Sequence, residues 1–421
     1  MKTLTSITLL ALLLAGVFAL VSVLTMSAGT GMQMWPTSQA QTVWSTTWQR
    51  DDTPVQFRSA LSTGDGEAPP VIVGQTVYAL GPDRQLHALD VQSGKELWRF
   101  DAGGGRRVFN FRVSATRLVL LARAQNQATT LADSYIVGIN PSTRTLAWDQ
   151  PLGTDVYVDG LEVDSDTAYI GVADNMMSTF WRALRDRGAA PSLHPRVRAY
   201  ALADGVLRWE QPLPERNETT PADDLVFTLI GRELVATESM RGTVIGLVAL
   251  DRTSGLVLWR DLNGSEALGS LRGQLLARSG GDLVMLAPAT GRQVDRLVGL
   301  APPRASDATL VSGPVLYSTG SDTVRAINLD GRAGLWSPIE LDAPKERSAG
   351  VTMRRPGVQA GHLLVGGRDQ AVYSIDAQSG SVEWKFIAST PRTPNIDYAP
   401  LLAGKLVLVQ DGQLTAYRSP R

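Results

Sequence analysis

Ala88-Leu89-Asp90-Val91-Gln92-Ser93-Gly94-Lys95-Glu96-Leu97-Trp98 is the stretch on which the fold is read. Its skeleton is an Asp, a Gly four residues on and a Trp four further. The same skeleton recurs at Asp251–Gly255–Trp259 and Asp376–Gly380–Trp384. Weaker copies stand at Asn140–Arg144–Trp148, Ala201–Gly205–Trp209, Asn328–Arg332–Trp336 and, most eroded, Ala287–Gly291–Asp295. One register kept through seven copies marks a repeat protein.

The chemistry of the copy explains its residues. An Asp or Asn side chain can bond backbone two residues on and start a turn. Gly takes the positive φ that ends one. Around these turns lie short apolar or alternating segments such as Thr76-Val77-Tyr78-Ala79-Leu80, bounded by Gly, Asp, Asn and Ser; these are strand and hairpin signals. Two residues before the Asp position the chain is small in most copies: Ala88, Gly138, Ala199, Ala249, Ala326 and Ser374, with Met285 the exception. A small residue there leaves room for a large ring from a neighbouring unit. Trp98, Trp148, Trp209, Trp259, Trp336 and Trp384 are therefore expected to dock one unit on the next.

The Trp positions run 98, 148, 209, 259, 295, 336 and 384, so the spacing varies from 36 (259 to 295) to 61 (148 to 209). Periods of ~40–50 residues with four strands each are propeller blades. The chain ends on three strand-like segments, the last Gln413-Leu414-Thr415-Ala416-Tyr417, without a Trp strand; Thr42-Val43-Trp44-Ser45 supplies one at the other end. The expectation is an all-β, eight-bladed propeller of four-stranded antiparallel blades over residues 42–418. Seven blades are full, and one is shared and closed by the N-terminal strand through Trp44.

Residues 3–26 are almost all apolar or small, and Lys2 precedes them. The run exceeds the ~7–15 apolar residues of a secretory signal core and approaches a membrane span. The reading is a hydrophobic helix over residues 1–28, a signal anchor rather than a cleaved signal peptide, then a linker over 29–41. Lys2 on the cytoplasmic side puts the propeller on the extracytoplasmic side of the cell membrane; cleavage would make it secreted.

Composition excludes several functions. The net charge of −1 gives no field to hold nucleic acid. Cysteine is absent, which removes disulfides, thiolate metal sites, a Cys nucleophile and a lipid anchor on cysteine. His87, His194 and His362 are too scattered to argue a metal site. Gly103-Gly104-Gly105 is a Gly run between blades, not a phosphate loop leading into a helix. Asn217-Glu218-Thr219 and Asn263-Gly264-Ser265 match a glycosylation triplet that is frequent by chance.

The pattern Ala-x-Asp-x-x-(Ser/Thr)-Gly-x-x-x-Trp resembles the PQQ-like repeat. That repeat builds the eight-bladed propellers of quinoprotein alcohol dehydrogenases and of non-catalytic, BamB-like relatives. The resemblance implies the fold and leaves function open, because the motif is a packing device common to both groups. The catalytic members are larger, roof a central PQQ and calcium site with long insertions, and in several cases carry a vicinal disulfide. None of Asp155, Asp159, Glu162, Asp164 and Asp166 matches their ligand positions, and these residues read as turn residues. No catalytic residue, metal or cofactor is assigned.

One insertion departs from the repeat, between Tyr169-Ile170-Gly171-Val172 and Val197-Arg198-Ala199-Tyr200-Ala201. Its Met176, Met177, Phe180, Trp181 and Leu184 fall on one helical face, opposite Arg182, Arg185, Asp186 and Arg187. A short amphipathic helix is expected, with Phe180, Trp181, Leu184, Arg182 and Arg185 as candidate partner contacts. The equivalent connections at Arg123–Ser134 and Glu238–Thr243 should emerge on the same face. Arg347, Arg354 and Arg355 form a weaker basic cluster, read as solvated. The functional expectation is a membrane-tethered, BamB-like interaction scaffold with a protein partner at one face. The alternatives are a PQQ-dependent dehydrogenase and a ligand-binding or sensor domain of a membrane complex.

Overall fold

The structure is a computed structural model. It describes residues 41–418 apart from 47–69, 82, 126–131, 155, 175–194, 214–223, 241–242, 262, 304–307, 321–322, 342–355, 360, 367–370, 388–396, 404–405 and 411–413. The described residues form antiparallel sheets in sequence order, here called blades 1 to 7: residues 71–100, 106–154, 156–212, 224–261, 266–297, 308–340 and 357–387. Each is a meander of consecutive strands. One further sheet is composite, because strand Gln41–Ser45 pairs antiparallel with Leu414–Arg418, beside Leu406–Gln410 and Asp397–Ala403.

The expected architecture is corrected in two respects. Seven blades, not eight, are self-contained runs of consecutive strands, and the remaining sheet draws on both ends of the chain. Blade 6 has five strands rather than four, since its outer strand is split into Ala333–Gly334 and Ile339–Glu340. Pro338 lies in the gap; it has no N–H to donate to a ladder and interrupts an outer strand at such a point. No helix occurs among the described residues. The hydrophobic segment 1–28 and the linker up to residue 40 lie outside them.

The second strand of each blade is buried along most of its length, and in blade 2 it reads as an unbroken apolar run rather than an alternation. Leu118 through Ala122 are fully buried. The apolar clusters cross from blade to blade. Tyr78, Leu80 and Leu86 of blade 1 pack with Phe111, Leu120 and Val137 of blade 2. Trp44, Leu414 and Ala416 of the composite sheet pack with Val77, Leu89 and Val91 of blade 1. The ring therefore closes through an apolar seam as well as through a strand.

The motif builds these seams. Asp90 Oδ1 accepts the Ser93 N–H at 2.8 Å and the Ser93 hydroxyl at 2.6 Å. The Gly94 N–H donates to the Asp90 carbonyl at 2.8 Å, and Gly94 has φ 68°. Asp251 and Asp376 repeat the arrangement with Ser254 and Ser379. The turn leaves one extra residue in the outer strand, seen as a register shift at Ala88/Leu89, Ala249/Leu250 and Ser374/Ile375.

Five of the Trp rings then reach forward. Trp44 Nε1 donates to the Val91 carbonyl at 3.0 Å, Trp148 to Leu202 at 2.9 Å, Trp209 to Arg252 at 2.9 Å, Trp259 to Pro288 at 2.5 Å and Trp336 to Ala377 at 3.4 Å. In every case the acceptor directly follows the Asp position of the next blade. The same rings lie over that blade's motif Gly: a Cβ on Gly205, Gly255 or Gly291 would stand 2.6 Å from an indole carbon.

The role given to the small residue needs correction. Ala88, Gly138, Ala199, Ala249, Ser374 and Ala416 are the cross-strand partners of Trp98, Trp148, Trp209, Trp259, Trp384 and Trp44. They make room for the ring of their own sheet, which lies across them on its way to the next blade.

Candidate interaction face

In every blade the motif turn joins the third and fourth strands. The connection between the second and third strands leaves from the opposite end, together with the link to the following blade. The long connections at 126–131 and 175–194, and the one at 241–242, thus share one end of the blades. The insertion expected to form an amphipathic helix, with Phe180, Trp181, Leu184, Arg182 and Arg185, lies outside the described residues. So do Arg347, Arg354 and Arg355.

The strands leading to this face carry ion pairs. His87 in strand Leu86–Asp90 is 2% exposed and sits between two carboxylates, with Nε2 3.0 Å from Asp83 and Nδ1 2.7 Å from Glu96. Burial pushes the imidazole down, but hydrogen bonds to Asp83 and Glu96 outweigh it and raise its pKa above the ordinary value. Burial pushes the Asp83 carboxyl up; the bonds from His87 and the Gln85 N–H outweigh that and hold it below the ordinary range.

Arg106 Nη1 lies 2.5 Å from Asp149, with its guanidinium 3.6 Å above the Tyr135 ring. Arg123 stacks 4.6 Å from the centre of the Phe109 ring. Arg198 binds Glu210 at 2.5 Å and the Leu152 carbonyl at 3.0 Å, tying blade 3 to blade 2. The buried Glu238 carboxylate takes Arg260 at 3.0 Å. Arg278 and Glu266 pair at 2.8 Å, and Arg296 pairs with Asp282. These charges are paired locally between strands of one blade, leaving a polar border beneath the loops.

The remaining sequence candidates do not converge. Glu162 Oε2 is 3.7 Å from Arg112 Nε of blade 2, and Asp166 pairs with Arg208 at 3.0 Å. Asp159 lies on inner strand Val156–Val163, and Asp155 is outside the described residues. Asp164 is a turn residue, bonding the N–H groups of Asp166 and Thr167. It is also a clamp, because its other oxygen takes the Tyr169 hydroxyl at 2.8 Å and the Arg252 guanidinium of blade 4. Burial pushes Asp164 up, and these bonds together hold it low. His362 pairs with Glu383 at 2.7 Å, remote in sequence and in blade from His87; His194 is outside the described residues. No group of His, Asp and Glu that could hold a metal ion occurs among the described residues. Gly103, Gly104 and Gly105 all have positive φ in an open turn. Asn263 also sits in a turn, its amide bonded to Asp261 at 2.8 Å.

Sequence reading missed the Asp164–Tyr169–Arg252 clamp and the belt of ion pairs. Their partners are up to 88 residues apart and carry no local pattern. Among the described residues no helix is long and apolar enough to cross a membrane.

A closed ring of Asp–Gly–Trp blades defines a β-propeller of PQQ-like repeats. Residues 23–169, 132–340 and 320–419 match the family model described as outer membrane protein assembly factor BamB, and the chain belongs to that family. No curated protein sequence matches it. Among solved structures it is similar to BamB from Moraxella catarrhalis, at 14% identity and TM-score 0.57 over 90% of this chain and all of that one. It is similar also to quinohemoprotein alcohol dehydrogenase from Comamonas testosteroni, at 12% identity and TM-score 0.57 over 84% of this chain and 75% of that one. The computationally designed Ika8 protein aligns at 11% identity and TM-score 0.58 over 83% of this chain and 95% of that one. At such identities these likenesses establish the fold alone.

Proposed function

We propose that the chain is an exported, membrane-tethered, non-catalytic propeller that serves as a protein-binding scaffold in assembly. Its family membership along nearly the whole propeller carries this reading, since the family is described as an assembly factor. The apolar residues 3–26 after Lys2 support export and tethering at the extracytoplasmic side of the cell membrane. The loop-bearing face is the proposed partner surface: it gathers the long connections over a border whose described charges are already paired.

Crosslinking followed by purification of the full chain from membranes tests this. A stable protein partner is expected, lost when Phe180 and Trp181 are replaced by Ser while the melting temperature holds. Recovery of no partner sinks the scaffold reading.

The dehydrogenase alternative has the fold likeness to the quinohemoprotein enzyme on its side. It requires that added PQQ and calcium bind and give dye-linked alcohol oxidation. The scaffold reading expects neither binding nor turnover, and no resident cofactor.

A further inference from the structure

The seam between blades 5 and 6 is built differently from the Trp-latched seams. Asp295 stands where the ring should be, and Arg332 where the next motif Gly should be. Arg332 Nη2 lies 2.7 Å from Asp295 Oδ2, and Arg332 holds φ at 52°, a conformation that L side chains rarely adopt. A second pair crosses the same seam: Arg272 of a blade 5 turn binds Asp330 of the blade 6 motif turn at 2.6 Å. The four side chains are 34% to 67% exposed. Deeper in the seam, Leu276, Leu283 and Leu297 pack with Leu316 and Ile327. Only the outer edge has exchanged a buried ring for exposed charge.

Exposed ion pairs add little cohesion and are screened by salt. An indole lying on a Gly and bonded to a carbonyl is not. We infer that the outer edge of the blade 5–blade 6 seam is the opening joint of the ring, and that ionic strength controls it.

Hydrogen exchange of the full chain at low and high salt tests the inference. Between about 0.01 M and about 1 M NaCl the screening length falls from roughly 30 Å to roughly 3 Å. Amides of Gln293–Leu297 and of the turn at 328–332 should exchange roughly fivefold faster at high salt. Amides of Val257–Asp261, in a Trp-latched blade, should hold constant after correction for intrinsic rates. Asp295→Asn keeps the shape and removes the charge. It should exchange faster than wild type at low salt and show a smaller salt response, the remainder coming from the Arg272–Asp330 pair. The Asp295→Trp, Arg332→Gly double variant restores ring and Gly and should exchange slowly at both. Equal salt response at all seams, or an undiminished response in Asp295→Asn, overturns the inference. Asp295→Asn still decides the matter if the double variant does not fold.

Discussion

The indole N–H of Trp44 donates to the carbonyl of Val91 at 3.0 Å, joining the first described strand to a turn 47 residues later. Trp44 is 8% exposed and lies across Ala416, its cross-strand partner from the far end of the chain. One side chain therefore ties the N-terminal strand, the last strand and the first blade.

Trp44→Ala removes the ring and its bond together and should lower stability by about 3–5 kcal/mol. Trp44→Phe keeps most of the apolar area and orphans the carbonyl, for about 1–2 kcal/mol. Urea unfolding followed by circular dichroism measures both. If Trp44→Ala matches wild type, the strand does not close the ring.

Gly255 and Gly273 separate backbone strain from packing. Their φ values are 76° and 74°, but a Cβ on Gly255 meets the Trp209 ring at 2.6 Å, whereas one on Gly273 meets nothing within 4 Å. Gly273→Ala should cost only the left-handed conformation, about 1–2 kcal/mol. Gly255→Ala adds displacement of the indole, about 1–3 kcal/mol more. Equal losses in thermal or urea unfolding would show that the ring does not rest on the Gly.

The sequence made the seams legible because their signal is local: Asp90, Gly94 and Trp98 lie within one hairpin. What Trp98 lies across was not legible. The ten residues back to Ala88 fit a ring from the same blade or from a neighbour, and only the register chooses. The clamp of Asp164 on Arg252 joins different blades and has no spacing to betray it. The Asp295–Arg332 pair did leave a trace, since the lost Trp and the lost Gly fall in consecutive copies and meet at one seam. The face under the long loops was legible as a place but not as chemistry. Its pairs, such as Arg198 with Glu210, depend on which strands stand opposite.

His87 makes stability depend on pH in the direction opposite to the carboxylates. Its folded pKa is raised, despite burial, by Asp83 and Glu96. A raised folded pKa contributes stability that is fully present below the unfolded value of about 6.5 and is lost as pH rises through the folded value. Wild type should therefore lose stability relative to His87→Gln on going from about pH 6 to about pH 9. Parallel urea curves for the two proteins across that range would mean the imidazole is not charged in the fold.

The motif Asp residues make the acid limb. Asp90 and Asp376 are held below the ordinary range first by their bonds from the Ser93 and Ser379 hydroxyls, and Asp251 first by the Ser254 N–H. A lowered folded pKa contributes stability present above the unfolded value of about 3.9 and lost as pH falls through the folded value. The chain itself shows that the turn does not need the charge. Asn140 Oδ1 accepts the Ser142 and Thr143 N–H groups, and Asn328 those of Asp330 and Gly331. The triple variant Asp90→Asn, Asp251→Asn, Asp376→Asn should therefore fold, be less stable than wild type near neutrality, and lose less stability between about pH 5 and about pH 2. Melting temperatures of both proteins along that range decide it. An acid slope as steep in the variant as in wild type would place the sensitivity elsewhere, with Asp164 and its Arg252 clamp the next residues to examine.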